Sequence, residues 1–256
     1  FSIKTNIKTF HSFGNQIVNK YLKYDFDIES NEKINIDIIS SLVKGNYEYY
    51  VEIFSQIKNN LLTFDELEDK NILYLFERYI ESCQQERFYN FDDMLYLAVK
   101  IILDNYDARD EIQKQYEYIL IDEFQDLNKI QLMLIEIIAK FQDNIFVVGD
   151  DDQMIYRFRG ASENVILNYK NNYSICNQYI LNMNYRSCKN LIYHANQVIK
   201  YNRKRVDKDI LAYQKNNGKI DLFVEENIEK ESKKIVEYIK DAKNYNDIAI
   251  LYRYNQ

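Results

Sequence analysis

A chain of 256 residues with 46% hydrophobic residues can bury one large core or two smaller ones, and two packed units are expected. Lys and Arg number 33 against 40 Asp and Glu, a net charge of −7, so bulk charge gives no reason to bind a polyanion and any such argument must be local. No apolar run nears the roughly 18 residues that cross a bilayer, and the opening FSIKTNIKTF lacks a secretory layout; a cytoplasmic protein with no membrane partner is expected. Cys83, Cys176 and Cys188 are odd in number and widely spaced, which fits reduced thiols rather than a disulfide framework or a zinc site. Proline is absent and glycine occurs five times, so Asn and Asp should fill the turn positions.

From Phe13 to Arg87 apolar residues recur at spacings of three and four, as in Ile53, Ile57 and Leu61 or Leu73, Phe76 and Ile80, the pattern of a helical subdomain. Phe91 to Leu103 puts Phe91, Met94, Leu95, Ala98, Ile101 and Ile102 on one helical face. The short run Tyr118 to Ile121 ends in Asp122-Glu123. A helical pattern follows through Ile130, Met133, Leu134, Ile137, Ile138 and Phe141, and then Ile145 to Val148 ends in Gly149-Asp150. Apolar strands alternating with amphipathic helices predict an α/β fold with parallel strands covered on both faces, and in such sheets ligands bind at the carboxyl ends of the strands. After Cys176 the pattern restarts: strands near 179–181, 220–224 and 248–252, with helices from Lys189 to Tyr201 and through Ile235, Val236 and Ile239.

The two strand ends carry the chemistry. Adjacent carboxylates suit nucleotide hydrolysis, with Asp122 holding Mg²⁺ and Glu123 deprotonating the attacking water; acidic residues after a strand are also ordinary loop residues. Gly149-Asp150-Asp151-Asp152-Gln153 supplies a tight turn, carboxylates and, in Gln153, an amide able to sense a terminal phosphate. Tyr156-Arg157-Phe158-Arg159 interleaves rings and cations, as a surface that stacks unpaired bases does, although a core aromatic pair with surface arginines has the same composition. Asn184-Tyr185-Arg186-Ser187 offers a ring for a base and a cation for charge developing on a γ-phosphate, or a structural ion pair. The segment Arg186 to Lys208 carries seven cations, Arg205 among them, against Asp207, enough to track phosphates or to form a solvated helix end.

Taken in order, TFHSF (Thr9 to Phe13), FDDML (Phe91 to Leu95), ILIDEFQDLN (Ile119 to Asn128), VVGDDDQMIYRFRGA (Val147 to Ala161), NYRS (Asn184 to Ser187) and IAILYRYN (Ile248 to Asn255) resemble the UvrD/Rep/PcrA branch of superfamily 1 helicases. The resemblance implies RecA-like P-loop NTPase parallel sheets with an inserted helical subdomain. It gives a partial first RecA-like domain over 1–22 and 89–176, a helical insertion over 23–88, and the start of a second RecA-like domain over 177–256. It also implies ATP-driven movement in the 3′ to 5′ direction along single-stranded DNA, with single/double-strand junctions as substrates and repair or replication proteins as partners.

By the same resemblance, Asp122 and Glu123 take the magnesium and catalytic-base roles, Gln125 lies close to the nucleotide, and Gln153 contacts the γ-phosphate. Tyr185 stacks on adenine and Arg186 is the arginine finger. Thr9, Phe10, His11, Arg253 and Asn255 contact DNA, Tyr156 and Phe158 stack on its bases, and Arg159 belongs to the network joining the two sites. His11 has an alternative as a capping or packing residue, and Asp92 and Asp93 as caps of the helix they open. None of the five glycines begins a G-x-x-x-x-G-K-[ST] loop, whose amides and lysine would wrap the phosphates. The expectation is therefore an internal portion of a longer helicase, with both RecA-like units incomplete and this portion inactive by itself. The alternatives are a non-catalytic, regulatory single-strand-binding relative and the motor part of a helicase-nuclease.

Overall fold

A computed structural model describes residues 5–22, 32–60, 67, 69–139, 144–155, 164–172 and 175–252. It divides into two compact units, Phe1–Tyr179 with Arg203–Asp207, and Ile180–Asn202 with Lys208–Gln256. No described helix is long and apolar enough to cross a membrane.

In the first unit, helix α1 (Phe10–Tyr21) begins where the Thr9 hydroxyl accepts the Ser12 N–H, satisfying one donor that the first helical turn leaves unpaired. Helices α2 (Glu32–Leu42), α3 (Tyr47–Asn60) and α4 (Lys70–Gln85) follow in the stretch whose spacing predicted helices. They share a core of Ile39, Phe54, Phe76 and Tyr79, with the Phe54 ring edge-on to Phe76 at 5.4 Å.

Helix α5 (Phe91–Asp104) is the central element of the second core. Leu95, Ala98 and Ile102 are fully buried in it, against Ile17 and Val18 of α1 and against Ile130 and Leu134 of α7 (Lys129–Ala139). A capping box opens α5: Asn90 Oδ1 accepts the Asp93 N–H at 3.1 Å and Asp93 accepts the Asn90 N–H at 2.9 Å. Asn90 is thus the cap, and Asp93 completes it from inside the helix. Asn105 caps the intervening α6 (Tyr106–Gln115), and Asn128 exchanges bonds with Gln131 at the start of α7. Asparagine takes these positions in a chain without proline.

Gly14 lets α1 lie close to α5, since a Cβ there would sit 2.7 Å from the Met94 carbonyl oxygen. The obstacle is backbone, so one helix must move. Gly14→Ala should therefore destabilise the first unit by about 1–3 kcal/mol, read as a lower urea midpoint; an unchanged midpoint would mean that the two helices slide apart freely.

Strands β1 (Ile119–Ile121) and β2 (Ile145–Val147) pair in parallel, with Ile119 opposite Ile145 and Ile121 opposite Val147. Ile121 joins Phe124, Leu127 and Ile135 in a third core, against which Val165 and Ile166 of the short helix α8 (Asn164–Asn168) pack. The opposite face departs from expectation. Leu120 and Phe146, paired in register, are 74% and 57% exposed, so among the described residues this sheet is covered on one face only.

In the second unit, β3 (Met183–Asn184) pairs in parallel with β4 (Leu211–Ala212). Helices α9 (Lys189–Ile199) and α10 (Ile228–Ile239) lie where the periodicity predicted them. The predicted strands at 179–181, 220–224 and 248–252 do not form ladders. Their apolar side chains are exposed, Leu181, Leu222 and Leu251 among the most open. The composition suits buried strands, but a strand exists only where a neighbour accepts its hydrogen bonds, and among the described residues no neighbour is paired with these segments.

Candidate functional site

The chain leaves β1 by an abrupt turn. Asp122 folds its carboxylate back to accept the Glu123 N–H at 3.0 Å. Glu123 itself is left-handed, at φ 50° and ψ 45°, a region that a residue with a Cβ enters at a cost of about 1–2 kcal/mol. The bonds on either side hold it there: Phe124 N–H reaches the Val148 carbonyl at 2.9 Å, and Asp126 N–H reaches the Glu123 carbonyl at 3.0 Å. A 3₁₀ turn over Phe124–Asp126 follows. Asp122 and Glu123 thereby face solvent while Phe124 and Gln125 are buried, the Phe124 ring standing edge-on to Tyr169 at 5.1 Å.

The β2 end meets this turn through one side chain. Gln125, 1% exposed, donates from Nε2 to Glu123 Oε2 at 2.8 Å and accepts the Asp150 N–H on Oε1 at 3.0 Å. Asp150 in turn accepts Gln153 Nε2 at 2.7 Å and the Asp152 N–H at 3.1 Å. An unbroken chain of bonds therefore runs from Glu123 through Gln125 and Asp150 to Gln153. Gly149 is required for it, because a Cβ there would stand 2.7 Å from Gln125 Oε1.

The next two carboxylates are held by residues 203–207 of the same unit. Arg205 grips Asp152 in a fork, Nε to Oδ1 at 2.9 Å and Nη2 to Oδ2 at 2.7 Å, and Asp151 accepts the Val206 N–H at 2.7 Å. In the basic segment, Arg205 is thus engaged by Asp152, and Lys200 lies 3.2 Å from Asp209 in an exposed pair. Asp150, Asp151 and Asp152 bring carboxylate oxygens within 4.8 Å of one another, but these bonds already engage all three. Asp122 presents an exposed carboxylate beside Glu123, an oxygen of the kind that could hold Mg²⁺, an ion that keeps most of its waters and takes one or two carboxylates.

Asp126 lies at the far end of the 3₁₀ turn. Its Oδ1 is buried without a hydrogen bond, and burial first, then the nearby Glu123 charge, raise its pKa above the ordinary carboxylate value. It lines a groove of about 1150 Å³ together with His11, Asn59, Phe91, Asn128 and Gln131. His11 stacks on Phe91 at 3.7 Å, and burial outweighs the Asp92 charge to lower its pKa. A neutral imidazole among amides and carboxylates suits hydrogen bonds to base edges or sugars rather than ion pairs with phosphates. Beside it, Thr9 is the helix cap and Phe10 is half-buried against two cores.

In the second unit, Asn184 Oδ1 accepts the N–H groups of Arg186 and Ser187 at 3.0 and 2.8 Å, a turn on which the Tyr185 and Arg186 side chains are exposed. Gln214 Nε2 braces it on the Tyr185 and Arg186 carbonyls at 3.0 and 2.9 Å. Tyr185 is exposed and meets Tyr213 at 4.9 Å with the rings tilted by 41°, and Arg186 is exposed. Tyr156, Phe158, Arg159, Arg253 and Asn255 lie outside the described residues.

Of the predicted positions, Asp122, Glu123, Gln125 and Gln153 come together at the β1 and β2 ends. Asp150 was missed as a link in that group; the signal was present, since an Asp two and three residues before N–H and amide donors readily forms such a turn.

The family model described as the UvrD/REP helicase N-terminal domain matches residues 2–174, and that of the UvrD-like helicase C-terminal domain matches residues 179–256. Among relatives, the probable DNA helicase II homolog of Mycoplasma capricolum is 32% identical over 236 residues, covering 90% of this chain and 32% of the relative. The ATP-dependent DNA helicase Rep of Buchnera aphidicola is 29% identical over 276 residues, covering 98% of this chain and 43% of the relative. The ATP-dependent DNA helicase PcrA of Staphylococcus epidermidis is 30% identical over 217 residues, covering 80% and 30%. The chain thus spans between 30% and 43% of the length of these three curated relatives.

Proposed function

The chain belongs to the UvrD/Rep helicase family, and from that premise we propose that it serves an ATP-dependent DNA helicase that moves 3′ to 5′ along single-stranded DNA. The observation that carries this reading is the bonded series Glu123, Gln125, Asp150 and Gln153 at the carboxyl ends of two parallel strands. A carboxylate at one strand end and an amide at the next are the groups that a phosphoryl-transfer site needs to activate water and to read the γ-phosphate.

In this reading residues 1–22 and 89–176 form one RecA-like domain carrying the insertion 23–88, and a second begins at 177. Glu123 takes the proton of the attacking water. Gln153 leaves Asp150 to meet the γ-phosphate, Tyr185 stacks on adenine, and Arg186 meets charge developing on the transferred phosphoryl group. Asp122 would hold Mg²⁺, which would supply neutralisation of the phosphate charge when bound. Thr9, Phe10, His11, Tyr156, Phe158, Arg159, Arg253 and Asn255 contact DNA, with single/double-strand junctions as the substrate and repair or replication proteins as partners.

The test is ATP turnover of the full-length protein with and without single-stranded DNA, together with displacement of streptavidin from either end of a biotinylated strand. Stimulated turnover with displacement from the 5′ end alone is expected. Tight binding without turnover would favour the non-catalytic relative, and displacement from the 3′ end would reverse the polarity. The 256 residues alone, lacking a G-x-x-x-x-G-K-[ST] loop, should hydrolyse ATP negligibly; turnover at the full-length rate would overturn that expectation.

A further inference from the structure

Gln125 has the least freedom of any polar side chain near the β1 and β2 ends. It is buried, and both ends of its amide are engaged. The orientation is fixed by its partners: Asp150 N–H can only donate and the Glu123 carboxylate can only accept, so a flipped amide would lose both bonds. Gly149 supplies the space, since any Cβ there would collide with Oε1. We propose that Gln125 is a positioning residue, whose amide orients the Glu123 carboxylate for water activation while fixing the turn that carries Gln153.

The Nε2 donor holds Oε2 of Glu123, leaving Oε1 to take the proton of the water. The Oε1 acceptor of the same amide holds the backbone of Asp150, whose carboxylate receives Gln153 Nε2 at 2.7 Å. The base and the turn that carries the phosphate sensor are thereby registered on one rigid group, while the Gln153 side chain stays able to leave Asp150. The groups bonded to the position-125 amide are the Glu123 carboxylate from the β1 end and the Asp150 N–H from the β2 end. The left-handed backbone of Glu123 makes an outside tether necessary, because the backbone alone does not select the direction of the side chain.

This inference rests on the motor reading, and the experiment separates the two. In the full-length protein, Gln125→Met removes both bonds at similar volume. DNA-stimulated kcat should fall by about 10–100-fold, with KM for ATP changed by less than about threefold, as expected when a reacting group is misplaced by about 1 Å. Gln125→Glu keeps the acceptor for Asp150 N–H and can donate to Glu123 only while protonated. Burial beside the Glu123 carboxylate raises the pKa of the introduced group, so the ratio of variant to wild-type kcat should be near one at low pH and should fall as pH rises.

Circular dichroism of the variant over the same pH range separates the two roles: a ratio that falls while the fold is retained reports positioning, whereas a structural role alone lowers the ratio only as the fold is lost. If Gln125→Met keeps kcat within twofold, or the Gln125→Glu ratio is flat between about pH 5.5 and 8.5, the inference fails while the motor reading stands. A wild-type protein without stimulated turnover sinks both. Should Gln125→Met fail to fold, the near-isosteric Gln125→Glu profile decides.

Discussion

Replacing Glu123 by glutamine in the full-length protein should reduce DNA-stimulated ATP turnover by about 10² or more while leaving nucleotide and DNA affinity intact. The substitution keeps the side chain's length and an oxygen that can accept Gln125 Nε2, now at 2.8 Å from Oε2. It also keeps the left-handed backbone, which glutamine enters no more easily than glutamate, so the fold has no reason to change. What is lost is the proton acceptor. Turnover and equilibrium binding of a non-hydrolysable ATP analogue, measured side by side, separate the outcomes. A large loss of kcat with unchanged affinity identifies the base, whereas turnover within about threefold of wild type would move that role to another carboxylate. Asp126 lies on the same turn, and burial, then the Glu123 charge, raise its pKa above the ordinary carboxylate value.

Much of this site was legible because it depends on periodicity and on strand ends. The run ending in Asp122-Glu123 was read as strand from Tyr118 to Ile121 and is strand from Ile119 to Ile121; the run before Gly149 behaves alike. The one-sided apolar spacing predicts helix α5 from Phe91 to Leu103, and it runs to Asp104, with Asn90 as its cap where the sequence offered Asp92 and Asp93. The burial of Phe124 and Gln125 was not legible. It follows from the left-handed Glu123 and the tight turn after it, which reset the direction of successive side chains, and neither feature has a period. The strands expected near 179–181, 220–224 and 248–252 differ for another reason. Apolar composition reports a preference for burial, while a ladder also needs a partner strand, which composition cannot specify.

Lys58 is the other residue that the sequence conceals, and its replacement is expected to have the largest effect on stability. In SQIKNN it reads as a surface lysine on a polar stretch. In the structure it is 1% exposed, with Nζ 2.7 Å from Asp93 Oδ1 and within reach of Tyr79 Oη at 3.2 Å and Asn90 Oδ1 at 3.3 Å. The ammonium also lies 4.7 Å from the centre of the Tyr79 ring. Burial, then the nearby Asp93 charge, raise the Cys83 thiol in the same core to a pKa of about 12, which keeps it protonated and inert. The pair ties α3 to the capping box of α5, joining the core shared by α2, α3 and α4 to the core built on α5.

Removing one partner of a fully buried pair strands the other charge in a medium that cannot solvate it, a loss of about 3–5 kcal/mol, whereas replacing both with apolar groups is often neutral. Lys58→Met should therefore be severely destabilising, and Lys58→Met with Asp93→Leu much less so, well below the sum of the two single effects. The residual deficit of the double variant is the lost capping bond between Asp93 and Asn90 N–H, worth about 1 kcal/mol. Hydrogen exchange resolved by peptide locates the effect: faster exchange in α3, α4 and the first turn of α5, with α7 less affected, is the expected pattern. Equal destabilisation by the single and double variants would mean that the lysine matters for its packed alkyl chain and that its charge contributes nothing to joining the two cores.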